Sequence, residues 1–136
     1  MSSDSLKQTI LANAEEICRL NAQIKETHRL SDRGPEARRN WKEACETFHA
    51  RYDALAFPGG YDNALQRLAA SDPSTVDTAL CFLEVRPFFF RSGYMFKDIL
   101  RKLKRAALNR QQAHRLELIV VAYDAYRAQR RRRHVA

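Results

Sequence analysis

The sequence predicts an all-α fold, a single-domain bundle of five or six helices with short connections. Two observations support this fold class. The 136 residues include only four Gly and four Pro, and Ala, Leu, Arg, Lys, Glu and Gln, which favour helices, are abundant. Apolar residues also recur at steps of three and four along successive segments, which is the spacing of one helical face. With 45% hydrophobic residues, the chain has the composition of a globular domain with one core.

The first helix is predicted to begin at Asp4 or Ser5, either of which can cap it, and to end near Leu30. The segment SDRGPE at 31–36 supplies the break. Isoleucines lie seven residues apart within this helix, so a helical seam in a homodimer stays open beside packing inside the bundle. The apolar face consists of Leu6, Ile10, Ala14, Ile17 and Ile24.

The second and third helices follow the same rules. Pro35 suits the first turn of the second helix, and the sequence FPGG at 57–60 ends it. A shorter third helix is predicted to begin near Tyr61. The inward residues are Trp41, Phe48, Tyr52 and Leu55 in the second helix, and Tyr61, Ala64, Leu65 and Leu68 in the third.

The fourth and fifth helices meet at Pro87. Asp72 is a predicted N-cap with Pro73 at the first helical position, and Pro87 limits extension of the fourth helix. Ser92 is predicted to cap the fifth helix, over residues 94–107, with apolar and basic residues on opposite faces. The apolar face of the fifth helix holds Phe96, Ile99, Leu100, Leu103 and Ala107.

The last helix has a capping signature and a basic end. Asn109 is a predicted N-cap, with Gln112 at the reciprocal position of a capping box. Arginines replace apolar residues on its buried stripe after Tyr126, so the helix is expected to leave the core there. Residues 1–129 are therefore predicted to form the domain, and residues 130–136 a mobile basic tail.

Three consecutive phenylalanines, Phe88, Phe89 and Phe90, lie at the corner between the fourth and fifth helices. Large side chains at such a corner are expected to seal the ends of the helices, so a core plug is the favoured interpretation. An exposed patch that binds a partner is the alternative. Exposure of Phe90 and Tyr94 among arginines would favour stacking or a protein hot spot.

Motifs that carry chemistry are missing. The sequence has no phosphate-binding loop, dinucleotide fingerprint, zinc-protease motif or esterase elbow. Cys45 and His49 are four residues apart, but Cys45 lies on the apolar stripe, so packing is favoured over a metal or thiolate site. Glu46 and His49 form a single ExxH pair, whereas di-metal bundles need two. We expect no enzyme activity, no metal site and no cofactor.

Cysteine usage and hydropathy predict the compartment. The three cysteines are widely spaced and odd in number, which favours a reduced environment. No window approaches the length of a membrane-spanning helix, and the first residues lack the features of a signal peptide. The chain is therefore predicted to be cytoplasmic, with no membrane span.

Charge is the strongest functional signal. Residues 1–72 carry 10 basic and 11 acidic residues, whereas residues 86–136 carry 14 basic and three acidic ones. This asymmetry predicts a non-enzymatic protein that binds nucleic acid, DNA or RNA, mainly through phosphates. The alternative is a small adaptor, inhibitor or immunity-type protein that binds an acidic protein. A membrane surface ranks third.

The candidate binding residues are taken from the basic C-terminal half. A sharper hypothesis makes the fifth and sixth helices a helix-turn-helix joined at residues 107–109, with Gln111, Gln112 and His114 among the residues that open the second helix. The candidates for phosphate or acidic-partner contacts are Arg91, Tyr94, Lys97, Arg101, Lys102, Lys104, Arg105, Arg110, Arg115, Arg130, Arg131, Arg132 and Arg133.

Overall fold

The structure is a computed structural model that describes residues 2–135, with side chains described to residue 133. Within that range it contains six α-helices, one short 3-10 helix and no strand, which confirms the predicted all-α bundle. The helices are α1 (Ser3–Arg29), α2 (Pro35–Ala56), α3 (Ala64–Ala69), α4 (Pro73–Val85), α5 (Ser92–Leu103) and α6 (Arg110–Val135), and the 3-10 helix is Ser31–Arg33.

Helices α1 and α2 form an antiparallel hairpin. Two cross-pairs define its direction, because Arg51 bonds Glu16 at 2.8 Å while the tilted rings of Trp41 and His28 are in contact with centroids 4.8 Å apart. Helix α1 starts earlier than predicted, because Ser2 rather than Asp4 or Ser5 is its N-cap and accepts from the Ser5 N–H. The face predicted for α1 is the buried one, with Ile10, Ala14, Ile17 and Leu20 in the core.

A carboxylate shapes the connection from α2 to α3. The Asp53 Oδ1 atom accepts from the backbone N–H groups of Tyr61 at 3.0 Å and Asp62 at 2.7 Å. Gly60, at φ +90°, lies so close that a Cβ there would be 2.9 Å from Asp53 Oδ2. These bonds hold residues 61–62 outside any helix, so α3 begins at Ala64 rather than near Tyr61.

Helix α4 is the centre of the bundle. It packs against α1, α3, α5 and α6, and a helix surrounded in this way is apolar on nearly every side. Its predicted cap is confirmed, because Asp72 accepts from the Thr75 N–H with Pro73 at the first helical position. Its buried residues include Val76, Ala79, Leu80, Cys81, Phe82 and Leu83.

Helix α5 differs from its predicted bounds at both ends. Arg91, not Ser92, is the N-cap, because the Ser92 Oγ turns back to accept from the Phe89 N–H at 3.0 Å. The C-terminal end comes at Leu103 rather than at residue 107. The N–H of Ala107 donates to Ser71 Oγ at 2.9 Å instead of continuing the helix.

The buried residues of helix α6 lie in its first half. The predicted capping box is present, since Asn109 and Gln112 exchange bonds of 3.0 and 2.8 Å. Leu116 and Ile119 are buried, whereas from Tyr126 to residue 133 every described side chain except Ala128 is exposed. The helix leaves the core where the sequence predicts. The predicted tail is helical up to Val135, and its mobility stays a prediction.

None of the described helices combines the length and the apolar character that crossing a membrane requires.

Candidate functional site: an aromatic and basic groove

The corner between α4 and α5 has two left-handed residues that are not glycine. Arg86 has φ +48° and Arg91 has φ +69°, and they bracket Pro87 and the three phenylalanines. A side chain in this conformation costs about 1 kcal/mol or more. The two arginines turn the chain sharply at both ends of the segment, so the side chains between them point in different directions.

The three phenylalanines diverge, which corrects the core-plug prediction for two of them. Phe89 is 5% exposed and packs edge-on against Phe82 and Tyr52. Phe90 is 52% exposed and leans on Phe48 from the side of α2. Phe88 is 87% exposed. The chain bends and turns at residues 89–91, so the three side chains point in different directions and only one of them reaches the core.

Hydrogen bonds from other helices fix this corner. The Tyr52 hydroxyl donates to the Phe90 carbonyl at 2.6 Å, and burial raises the pKa of Tyr52, so the hydroxyl keeps its proton at neutral pH. The Cys18 thiol donates to the Phe88 carbonyl at 3.4 Å. The backbone of the corner is thus anchored to α1 and α2, while the Phe88 ring stays in solvent.

A groove of about 970 Å³ runs beside this corner, between the first turns of α5 and the exposed end of α6. We call it the corner groove. Its aromatic residues are Phe88, Phe89, Tyr94, Phe96, Tyr123 and Tyr126, and its cations are Arg86, Arg91, Lys97, Arg127, Arg130 and Arg131.

Arg86 connects the corner to α6. Its guanidinium carbon lies 3.7 Å from the ring centroid of Tyr126, 5.0 Å from that of Phe96 and 5.5 Å from that of Tyr123. Cation–π contacts of this kind contribute about 0.5–1 kcal/mol each when exposed. Arg127 is also on α6, and its guanidinium carbon lies 5.7 Å from the Tyr123 ring centroid. The stack holds the end of α6 against the corner and forms one wall of the groove.

The groove carries charge of a single sign. Among the residues that the structure describes, no Asp or Glu lines it, and none of its six cations makes an ion pair within 4.0 Å. A protein surface normally mixes charges of both signs. In the groove, six cations lie beside exposed rings with no acidic side chain among the described residues that line it.

The structure brings five of the predicted binding residues together in this groove. They are Arg91, Tyr94, Lys97, Arg130 and Arg131. Tyr94 is 71% exposed, the condition that the sequence analysis set for stacking or hot-spot use.

Two of the four predicted cations at residues 101–105 continue from the groove along one helical face. Arg101 and Lys104 follow Lys97 at steps of four and seven, which places them in one row about 10 Å long. Arg101 bonds Asp98 at 2.9 Å, an exposed pair that is weak enough to exchange for another anion. Lys102 is half-buried at the end of α5, and Arg105 is exposed two residues beyond that end.

Arg115 is placed in a structural ion pair. It is half-buried and donates two bonds to Glu84, one of them from Nε at 3.1 Å, and Lys7 approaches the same carboxylate at 3.6 Å. Burial works to raise the pKa of Glu84, but the hydrogen bonds and charge of Arg115 outweigh it and hold that pKa below its ordinary value. Glu84 likewise raises the pKa of Arg115. Arg115 is engaged inside the fold and is not part of the groove.

The remaining predicted arginines are spread along α6. Arg110 opens the helix, about 25 Å along its axis from Arg127, and does not line the groove. Arg133 lines a smaller recess of about 270 Å³ with Tyr126, Gln129 and Arg130. Arg132 is exposed on the same turns.

Several groove residues escaped the sequence analysis as binding residues. Arg86 was counted only among the basic residues of the C-terminal segment, and Phe88 was interpreted as part of a core plug. Tyr123, Tyr126, Arg127 and Arg130 are spaced at three, four and seven, which places them on one helical face. That spacing, together with the position where α6 leaves the core, could have indicated that these residues form one exposed face of α6.

The structure does not support the helix-turn-helix hypothesis. Six residues, 104–109, join α5 to α6, whereas that motif uses a turn of three or four. Gln112 was a predicted reader of bases, but its side-chain oxygen accepts from the Asn109 N–H and its side-chain nitrogen donates to Asp77 at 3.0 Å. Helix α6 packs mainly on α4 rather than on α5.

Reactive groups do not converge elsewhere in the described part of the chain. Within that part, no group of three or more His, Cys, Asp or Glu side chains stands close enough to hold a metal ion. Cys45 is half-buried and His49 exposed. All three cysteines are free thiols.

Fold and groove together define an all-α protein with an aromatic and basic surface site. Comparisons of this chain with protein-family models, with curated proteins and with solved structures found no match.

Proposed function

We propose that this chain is a non-enzymatic binding protein whose corner groove contacts nucleic acid, mainly through phosphates. The observation that carries the proposal is the set of six groove cations, which come from three elements and face no acidic side chain among the described residues. Phosphates are the anions that arginine clusters contact in nucleic acids.

The geometry of the cations supports an extended ligand. Arg130 and Arg131 lie at one side of the groove, and the row that begins at Lys97 leads away from it along α5. A small anion needs only one or two of these contacts. A chain of phosphates can use the groove and the row together, so a polyanion fits the arrangement better than a free phosphate does.

A titration by fluorescence anisotropy tests the proposal. Labelled single-stranded DNA, RNA and duplex DNA are titrated with the full chain at about 50 mM and about 200 mM salt. Engagement of all six groove cations by a single strand predicts a slope of log affinity against log salt near −4, since each contact contributes about −0.7.

Matched charge reversals locate the site. Lys97→Glu with Arg130→Glu changes the charge of the groove, whereas Arg38→Glu with Arg39→Glu makes the same change on exposed positions of α2. We expect the first pair to abolish binding and the second to weaken it only slightly. Arg101→Glu with Lys104→Glu should give an intermediate loss if the α5 row extends the site. Equal losses from the groove and α2 pairs would mean that net charge, not the groove, attracts the ligand.

An acidic protein is the second candidate, and one observation favours it. Phe88 and Tyr94 are exposed rings next to arginines, and Tyr and Arg are typical of protein hot spots. If none of the three nucleic acids binds in a salt-dependent manner, the first proposal fails and the acidic-protein proposal remains. A cytoplasmic location, proposed from the cysteine pattern, suits either partner.

A further inference from the structure

We infer that the corner groove selects single-stranded nucleic acid and holds its unpaired bases on aromatic rings. This inference rests on the proposed function, since it names the ligand class of the same site. A duplex hides the faces of its bases in the stack, whereas a single strand presents them beside its phosphates. A site for single strands therefore needs exposed rings among cations, and a site for duplexes needs the cations alone.

Three rings of the groove stand in solvent. Phe88 is 87% exposed, Tyr94 71% and Tyr126 41%. They come from the corner, from α5 and from α6, so they surround the groove rather than share one face. The neighbouring cations Arg91, Lys97 and Arg130 line the same groove. Rings and cations that line one groove suit the two parts of a single strand, its bases and its backbone.

Arg86 extends this set of flat surfaces. Its guanidinium group is stacked 3.7 Å from the Tyr126 centroid, yet the residue remains exposed. A guanidinium plane stacks on bases as an aromatic ring does. The Arg86–Tyr126 pair is assembled before any ligand arrives, which lowers the conformational entropy that binding must remove.

The anchoring of the corner serves the same end. The backbone around Phe88 is fixed by the Cys18 thiol, and the Phe90 carbonyl by the Tyr52 hydroxyl. The Phe88 ring is thus held in water by a segment that is itself tied to the core. An exposed ring on a fixed backbone does not contribute to the core, and it offers its surface to a ligand.

The test compares three labelled probes of equal length against the full chain. They are an oligothymidylate, an abasic single strand that keeps the phosphates and lacks the bases, and a hairpin duplex. We expect the oligothymidylate to bind tighter than the other two at the same salt concentration. The abasic strand measures the phosphate contacts by themselves, so its difference from the oligothymidylate measures the contribution of the bases.

Variants then assign that difference to rings. Tyr94→Ala and Phe88→Ala are each expected to lower the affinity for the oligothymidylate by about 5- to 150-fold. The affinity for the abasic strand should stay unchanged. Tyr94→Phe, which keeps the ring, should bind as the unmodified chain does. Leu118→Ala removes an exposed apolar side chain of α6 that does not line the groove, and it should have no effect. The exposure of Phe88 and Tyr94 means that both alanine variants should fold.

The outcomes separate this inference from the proposed function. Equal affinity for the oligothymidylate and the abasic strand, or full affinity in both alanine variants, would overturn the inference and leave the phosphate contacts standing. Tighter binding of the hairpin duplex would overturn it as well. If none of the probes binds in a salt-dependent manner, the proposed function fails and the inference fails with it.

Discussion

The α1–α2 hairpin and the corner groove differ in how many of their cations are paired with acidic side chains. In the hairpin, Glu16 accepts bonds from both Arg19 and Arg51, and Arg29 bonds Glu26 at 2.7 Å. These bonds, first from Arg19 and then from Arg51, lower the pKa of Glu16 to about 2. In the groove, six cations line one surface without an acid among the described residues. Both regions are rich in arginine, but three hairpin arginines are ion-paired, whereas none of the groove cations is paired among the described residues.

This difference shows that counts of basic residues do not by themselves locate a binding site. Surface ion pairs contribute little to stability, so the hairpin pairs mainly cancel charge that would otherwise attract polyanions. The backbone makes the same distinction. The hairpin consists of regular helices, whereas both ends of the groove's corner are left-handed arginines, and strain of this kind concentrates at functional sites.

The largest expected effect on stability comes from removing the buried ring of the corner. Phe89→Ala should lower the free energy of unfolding by about 3–5 kcal/mol, because it leaves a cavity beside Phe82 and Tyr52. Phe88→Ala, one residue away, should change it by less than about 0.5 kcal/mol, since the ring is in solvent. Chemical denaturation of both variants checks the pair. Equal effects would show that the two rings share one environment.

A second prediction concerns the one predicted binding arginine that is engaged in the fold. Glu84→Gln should destabilise the chain by about 1–2 kcal/mol at pH 7, because the charged hydrogen bonds from Arg115 are weakened. The folded pKa of Glu84 is lowered, so its stabilising effect is complete above the unfolded value near 4.5 and is lost as the pH falls through the folded pKa.

Thermal unfolding from pH 7 down to pH 3 tests this sign. The difference between Glu84→Gln and the unmodified chain should shrink as the solution becomes acidic. Nucleic-acid binding of the variant should be unchanged at pH 7. A difference that grows in acid would mean that the pair destabilises the folded chain.

The third prediction sharpens the contrast between strain and binding. Arg91→Gly removes the side-chain penalty of the left-handed conformation, about 1 kcal/mol, but adds backbone entropy to the unfolded chain of nearly the same size. The melting temperature should therefore stay the same or rise slightly, while affinity for nucleic acid falls. Calorimetry and the anisotropy titration, run on one sample, compare the two effects. A clear loss of melting temperature would assign Arg91 a structural role.

The smallest expected effect on stability comes from the end of α6. Truncation after Tyr126 keeps the Arg86 stack and removes side chains that are nearly all exposed, so the melting temperature should hardly change. Binding should fall strongly, because Arg127, Arg130 and Arg131 leave the groove. A matched truncation that retains Arg131 should recover most of the affinity. A large loss of melting temperature would show that these turns support the core.

Several features of the fold that depend on local periodicity and capping were predicted correctly from the sequence, although the N-caps of α1 and α5 were not. The Asp72 cap, the Asn109–Gln112 box and the departure of α6 near Tyr126 depend on neighbours within a few residues, and the structure confirms them. The end of α5 depends on Ser71, 36 residues away, and the direction of Phe88 depends on two backbone angles. Such long-range or conformational causes leave no periodic pattern, so these features were missed.

The same limit applies to the candidate site. Most of its cations were predicted from charge asymmetry, because a basic segment can be counted directly. Arg86 and Arg127 were missed because their role depends on ring stacking between the corner and α6. Arg115 was assigned to the surface because nothing in its own helix reveals Glu84, which is 31 residues away.

The contact between the rings of His28 and Trp41 has a practical consequence for optical spectroscopy. Trp41 is the single tryptophan of the chain, and it lies near the turn of the α1–α2 hairpin. Its contact residue His28 is about 15 Å along α1 from Cys18, which bonds the corner. Its emission should follow separation of the two hairpin helices and should be indifferent to a ligand in the groove. The chain therefore contains its own reporter of folding, which can be read at one wavelength while a labelled ligand reports binding at another.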